Sequence, residues 1–192
     1  MTIETNVHRE SRLAKLKALQ DKGYNPYPYR FRPDAFAADL QEKYKELEPG
    51  ADTEDRVTVA GRAMAVRNNG MFIDIKDISG KIQAFCHKNH LSEEDIERLK
   101  CLDVGDMVGI SGYVRRTPRG ELSIAAEKFD IISKSLQPLP EKFHGLTDVD
   151  ARYRQRYVDF IMNEDSKEIY RKRCQITSAV RRWFEENGFL EV

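Results

Sequence analysis

The sequence predicts a mainly β fold with flanking helices, built on a small five-stranded barrel. Residues 71–76 and 81–86 each alternate apolar with polar side chains, the period of two that marks a half-buried strand. Asp77-Ile78-Ser79-Gly80 between them is turn chemistry, so the two runs read as a hairpin. Around that hairpin the order is three strands, a helix, then two strands.

Taken in order, residues 9–22 read as a helix, with Leu13, Leu16 and Leu19 as a narrow apolar stripe among Arg12, Lys15, Lys17 and Lys22, and Gly23 as a stop. Such a helix either docks on a partner surface, the favoured reading, or lies as a basic helix alongside RNA. Pro26 and Pro28 force the segment from Tyr24 to Phe31 into an extended path, whose aromatic side chains would anchor it to the domain. Residues 35–47 look helical, Pro49-Gly50 ends them, and 51–56 read as a polar linker.

Residues 57–66 form the first predicted strand, and Arg67-Asn68-Asn69-Gly70 turns the chain into the hairpin. Residues 91–100 are a short helix, which Ser92 can cap with Asp95 three residues on. Strand four is predicted at 107–115, Thr117-Pro118-Arg119-Gly120 is a tight connection, and strand five runs over 122–132. Residues 134–146, with Pro138 and Pro140, read as a linker. Thr147 and Asp150 suit a capping box for a helix through 151–157. A longer helix starts at Asp165 or Ser166, and Asn187-Gly188 ends it. Phe189-Leu190-Glu191-Val192 reads as the start of a strand with no partner in the sequence, as if the chain were cut within a second domain.

The two faces of the hairpin differ. Ile73, Ile75, Ile82, Ala84 and Cys86 go inward; Phe72, Asp74, Lys76, Lys81, Gln83 and Phe85 go outward. Pairing Lys76 with Lys81 sets Asp74 opposite Gln83 and Phe72 opposite Phe85. An outward phenylalanine is often covered by a neighbouring loop or helix. Flat rings beside lysines are also what single-stranded nucleic acid binds, because bases stack on rings and phosphates meet ammonium groups. The strand order decides between these readings. Three strands, a helix and two strands characterise the OB-fold, whose strand 2–3 face and 1–2 and 4–5 loops bind oligonucleotides and oligosaccharides. Phe72, Phe85 and Gln83 fall on that face, Arg67 in the 1–2 loop, and Arg115, Arg116, Arg119 and Glu121 around the 4–5 loop. The acidic side chains Glu93, Glu94, Asp95 and Glu97 gather instead on the helix.

Composition narrows the partners. Among 192 residues, 32 Lys and Arg balance 32 Asp and Glu, so nucleic-acid contact has to be a local patch rather than a global basic field. Three scattered cysteines, Cys86, Cys101 and Cys174, lack CxxC spacing and argue against a disulfide framework or zinc site. His87 and His90 lack a second ligand pair and read as surface residues, so no metal site is expected. No long apolar run or signal peptide is present, which predicts a soluble, cytoplasmic protein without a membrane partner.

Three segments carry a family resemblance: Val59-Ala60-Gly61-Arg62 through Phe72 to Gly80-Lys81-Ile82-Gln83; Gly120-Glu121-Leu122-Ser123; and Pro138-Leu139-Pro140-Glu141-Lys142-Phe143-His144-Gly145-Leu146, continuing to Ala151-Arg152-Tyr153-Arg154-Gln155-Arg156-Tyr157-Val158-Asp159. From about residue 9 to its end the chain resembles the bacterial-type class II lysyl-tRNA synthetases. The third segment is highly specific to them; the first is loosely shared with the aspartyl and asparaginyl enzymes. The resemblance implies an N-terminal helical extension and linker (1–56), an OB-fold anticodon-binding domain (57–135), then a linker and the truncated start of a class II catalytic domain (136–192). It implies a tRNA(Lys) anticodon stem-loop, rich in uracil, as ligand. Phe72 matches the family's stacking phenylalanine, Gln83 and Glu121 its base-reading side chains, and Arg67 its loop arginine. The helix from Ser166 looks like the first half of class II motif 1, which builds a homodimer interface and would engage Ile176, Val180, Trp183 and Phe184. The family's reaction activates lysine with ATP and Mg2+ and transfers it to tRNA. Its catalytic motifs would follow Val192, so these residues alone are expected to hold no catalytic residue or cofactor and to be inactive. The chain is then either the N-terminal piece of a ligase or a free-standing OB-fold tRNA-binding module.

Overall fold

A computed structural model describes residues 3–140 and 146–192, which form two compact units divided between Pro138 and Leu139. Residues 141–145 of the lysyl-specific segment, and that part of the expected 134–146 linker, lie outside the described residues.

The first unit is the barrel. Its strands are β1 (Asp52–Arg67), β2 (Phe72–Lys76), β3 (Lys81–Phe85), β4 (Met107–Arg116) and β5 (Leu122–Ser133). They close in the order β1-β2-β3-β5-β4, with only the β3–β5 pair parallel. The hairpin has the expected register, with Phe72 opposite Phe85, Asp74 opposite Gln83 and Lys76 opposite Lys81. Its inward residues Ile73 and Ile75 join Val59, Val108, Ile110, Ile124, Phe129 and Ile131 in a core where none is more than 1% exposed. Each such side chain contributes about 1.5–3 kcal/mol by leaving water, which fixes the register: a slip of one residue would turn the whole set outward.

Two close approaches on β4 leave no room for a side chain. A Cβ on Gly112 would sit 1.9 Å from the Ala125 carbonyl oxygen, beside the irregularity where β4 and β5 shift register. A Cβ on Gly109 would enter the Phe31 ring at 2.2 Å. The aromatics of the extended segment are indeed anchors. Besides Phe31, the Tyr24 hydroxyl donates to the Ile131 carbonyl at 2.8 Å and the Tyr27 hydroxyl to the Lys134 carbonyl at 3.1 Å.

Several boundaries differ from the sequence reading. The polar stretch 51–56 is not a linker, because β1 begins at Asp52: Asp52 and Arg56 pair with Arg115 and Tyr113, and the Thr53 hydroxyl donates to the Val114 carbonyl at 2.8 Å. Its polarity reflects a strand end exposed on both faces. The helix expected over 35–47 is shorter, α2 (Ala37–Lys43), and the first helix is longer, α1 (Ile3–Asp21). In α1 the expected leucine stripe turns only Leu19 fully inward, while Leu13 stays exposed. Arg12 is buried instead, donating to the carbonyls of Ser135 at 2.8 Å and Val104 at 3.0 Å, and Lys15 pairs with Asp103 at 2.6 Å. The surface on which this helix docks is the chain's own barrel, and those two cations are committed to it.

The helix α3 (Glu93–Lys100) has the expected cap, with Ser92 Oγ accepting from the Asp95 N–H at 3.1 Å. Asp95 leaves the acidic cluster, however. It is buried and accepts from the Phe129 N–H at 3.2 Å, tying α3 to β5. Lys134, expected in the linker, is fully buried with its ammonium against Asp103 and Asp106. Burial of this kind also pushes the Cys86 thiol up to about 12, so it is a neutral core side chain at physiological pH.

The second unit holds α4 (Val149–Arg154), α5 (Arg156–Met162) and α6 (Glu164–Glu186). The cap of α4 is Asp148 rather than Thr147: its carboxylate accepts from the Ala151 N–H at 2.7 Å. The expected single helix breaks at Gln155, whose φ of −115° and ψ of 56° separate α4 from α5. A buried carboxylate organises the break. Asp159 accepts from Arg152 at 2.9 Å, Arg156 at 3.2 Å, Asn163 at 2.7 Å and Ser166 at 3.2 Å. Burial opposes its charge, but these donors outweigh it and hold the carboxyl below its usual range. Asn163, not Asp165 or Ser166, sets the start of α6. Residues 189–192 form no strand among the described residues, because an isolated extended segment has no ladder partner. No helix of the described residues is long and apolar enough to cross a membrane.

Candidate nucleic-acid interface

The outer face of β2 and β3 and the two flanking loops enclose an open groove of about 1010 Å³. Seven of the eight residues expected at a nucleic-acid site line it: Arg67, Phe72, Gln83, Phe85, Arg115, Arg119 and Glu121. They come from β1, β2, β3, β4 and the 117–121 connection, so closing the barrel is what gathers them.

The floor is aromatic. The Phe72 and Phe85 rings lie 5.2 Å apart, tilted by 37°, both part-exposed. The Arg115 guanidinium lies 5.1 Å from the centre of the Phe85 ring and pairs with Asp52 at 3.1 Å. Arg67 makes a two-point pair with Asp74, Nη2 to Oδ1 at 2.6 Å and Nη1 to Oδ2 at 2.9 Å. Positive φ at Asn68 (50°), Asn69 (54°) and Gly70 (92°) shapes the tight loop after Arg67, conformations that Asn and Gly tolerate. A two-point carboxylate contact holds a guanidinium plane in a fixed orientation.

Gln83 is nearly buried, and its Oε1 accepts from the Ser123 hydroxyl at 3.0 Å. Ser123 sits opposite Gln83 across the parallel β3–β5 pair. The bond fixes the amide plane and leaves the Nε2 donors for an acceptor. Glu121 is exposed at the far end of the 4–5 loop, where Thr117 and Gly120 close the turn. The lining carries four cations, Arg67, Lys81, Arg115 and Arg119, against the carboxylates of Asp74 and Glu121, a local positive patch in a chain of zero net charge.

Arg116 is the exception. It stands on the other parity of β4 from Arg115 and donates to the carbonyls of Gly120 at 2.7 Å and Tyr44 at 2.6 Å. Its part is to brace the 4–5 loop, and the alternation of β4 is the signal that separates it from Arg115. Asn68, Thr117 and Pro118 join the lining without having been expected at the site, and so does Lys81, one of the two outward lysines of the hairpin. Of the two histidines read as surface residues, His87 is in ring contact with the floor, 5.7 Å from Phe85, and His90 in turn lies 5.9 Å from His87. Among the described residues, no three His, Cys, Asp or Glu side chains are placed to hold a metal.

A closed five-stranded barrel in this strand order is an OB-fold, and residues 57–132 match the family described as OB-fold nucleic acid binding domain. Residues 148–192 match the class II tRNA synthetases of the D, K and N type. Along nearly its whole length the chain is homologous to lysine–tRNA ligases. It is 49% identical over 183 residues to that of Sinorhizobium medicae, covering 95% of this chain and 37% of the relative. It is 47% identical over 183 residues to that of Agrobacterium fabrum, with the same coverage. Against the chloroplastic/mitochondrial lysine–tRNA ligase of Arabidopsis thaliana it is 45% identical over 190 residues, covering 96% of this chain and 32% of the relative. The chain thus spans about a third of the length of these relatives.

Proposed function

We propose that this chain is the anticodon-binding part of a lysine–tRNA ligase and that the groove receives the anticodon loop of tRNA(Lys). The observation that carries the reading is the groove: two adjacent rings, an amide fixed in plane and a carboxylate, ringed by arginines. Rings stack bases, fixed amide and carboxylate groups read base edges, and arginines position the backbone. In the complete ligase, lysine would be activated with ATP and Mg2+ and passed to the tRNA. The described residues include no carboxylate cluster suited to Mg2+, and no step of that reaction is assigned to them. The cytoplasm, where translation takes place, is the corresponding location.

The test separates reading from positioning. Titrating the full chain with the anticodon stem-loop of tRNA(Lys), and with stem-loops altered at single anticodon bases, should show discrimination between them. Glu121→Gln should change that discrimination more than the salt dependence, because a carboxylate cannot attract phosphate. Arg119→Ala should lower the salt slope by up to about one and weaken all sequences alike. Equal affinity for every anticodon would remove the proposal, and the reverse pattern would exchange the two roles.

The exposed face of α6 supports a second partner, another copy of the chain. Ile176, Val180, Trp183 and Phe184 are 44–65% exposed and follow one another at helical spacing. A patch of this kind favours association. Light scattering of the full chain should show concentration-dependent self-association that Val180→Asp combined with Trp183→Asp abolishes; a monomer at all concentrations would dismiss this role for the helix.

A further inference from the structure

The aromatic floor does not stop at the edge of the groove. From Phe85 it continues to His87 at 5.7 Å with a tilt of 31°, close to the tilt between Phe72 and Phe85. His90 then stands steeply to His87, at 5.9 Å and 71°, and Tyr113 of β4 backs His90 at 6.5 Å and 66°. Three elements therefore supply one continuous row of rings: the hairpin, the 86–91 loop and β4. The loop is held in place. The Asn89 N–H donates to His87 Nδ1 at 3.3 Å and the His90 N–H to the His87 carbonyl at 2.9 Å. The row faces outward, His90 being exposed and His87 and Tyr113 part-exposed, and the exposed cation Lys88 lies between the two histidines in sequence.

We infer that His87, His90 and Tyr113 form an additional nucleotide subsite, which takes an unpaired RNA base lying beyond those over Phe72 and Phe85. His87 is the floor on which the base stacks, His90 the wall at its edge, and Tyr113 the buttress that keeps the wall upright. Lys88 is within the same loop to meet the phosphate. This rests on the proposed RNA-binding role of the groove and extends it. Structural cores use aromatic rows too, but a core row is buried, and this one is open along the side that continues the groove. Single-stranded sites on OB-folds span about 4–16 nucleotides, more than the two rings of the groove can stack, so the row has a use for its length. His87 and His90 here act as flat stacking surfaces rather than as metal ligands.

Oligouridylates of three and six residues, titrated against the full chain, test the subsite. The wild-type chain should bind the six-residue RNA more tightly. His87→Ala should lower affinity for the six-residue RNA by about fivefold or more, as expected for one lost base stack, His90→Ala should lower it by less, and both should leave the three-residue RNA unchanged. His90→Phe, which keeps a flat ring, should restore the difference. Unchanged binding of the six-residue RNA by both variants would overturn the subsite. So would an equal loss on both lengths, which would mean that the substitutions act through the fold, or a failure of His90→Phe to rescue. The groove itself is checked separately: Phe72→Ala should weaken the three-residue RNA, and its failure to do so would sink the groove reading instead.

Discussion

Asp106→Ala should cost the barrel about 3–5 kcal/mol. Asp106 and the Lys134 ammonium are both fully buried, 2.7 Å apart. The carboxylate also accepts from the Ser135 N–H at 2.7 Å and the Asp103 N–H at 2.8 Å. Truncation leaves a buried ammonium with Asp103 as its remaining acid, and two backbone donors without an acceptor. Lys134→Met should be comparably harmful, because Asp103 and Asp106 would then face each other with less compensation. Combining Asp106→Leu with Lys134→Met should cost clearly less than the sum of the two single changes, since no unpaired charge remains. Urea unfolding followed by hydrogen exchange of barrel amides measures this. The single tryptophan, Trp183, lies in the second unit and would not report on the barrel. Additive losses would show that the pair is not coupled. The same cluster sets a pH dependence. Burial opposes ionisation of Asp103, but Lys134 and Lys15 outweigh it and hold its carboxyl below the usual range. A depressed folded-state pKa stabilises the fold above the unfolded-state value, near 4, and that contribution fades as pH falls through the folded value. Barrel stability should therefore drop on acidification below about pH 4, and less so in Lys134→Met.

Phe72→Ala should weaken binding of the tRNA(Lys) anticodon stem-loop by about 1–3 kcal/mol, the range for one base–aromatic stack. Phe72 is part-exposed at the start of β2, and its ring lies against Phe85 rather than in the core. Its loss removes a stacking surface at little expense to the barrel. Phe72→Leu keeps apolar bulk without a flat ring and should bind nearly as poorly as the alanine variant; Phe72→Tyr should bind nearly as well as wild type. Affinity measured by fluorescence anisotropy, with circular dichroism confirming the fold, decides the matter. Unchanged affinity in Phe72→Ala would sink the stacking assignment, and full activity in Phe72→Leu would show that bulk rather than a ring is needed.

The hairpin was legible because its alternation leaves only one register that buries Ile73, Ile75, Ile82 and Ala84 together. That register then placed Phe72, Phe85 and Gln83 on one outer face without any tertiary information. The two basic groups that misled did so because their destinations are far along the chain. Arg12 reaches the carbonyls of Val104 and Ser135, and Arg116 that of Tyr44. Local pattern says only that an arginine needs acceptors, not which ones. Strand parity would have separated Arg116 from Arg115, whereas nothing near Arg12 or Lys134 in the sequence announces a buried charge.

By itself, the sequence determined the order of elements in the barrel, the hairpin register and its inward and outward faces, because periodicity and turn chemistry act over a few residues. It also carried the family likeness, which overall identity to lysine–tRNA ligases bears out. Tertiary structure alone decided that residues 52–56 join β1, that Lys134 and Asp106 pair inside the barrel and that Asp95 leaves the surface. It alone brought His87, His90 and Tyr113 into one row with Phe85. Each of these depends on strands meeting across the closed barrel, and closure sets distances between residues whose separation in sequence carries no pattern.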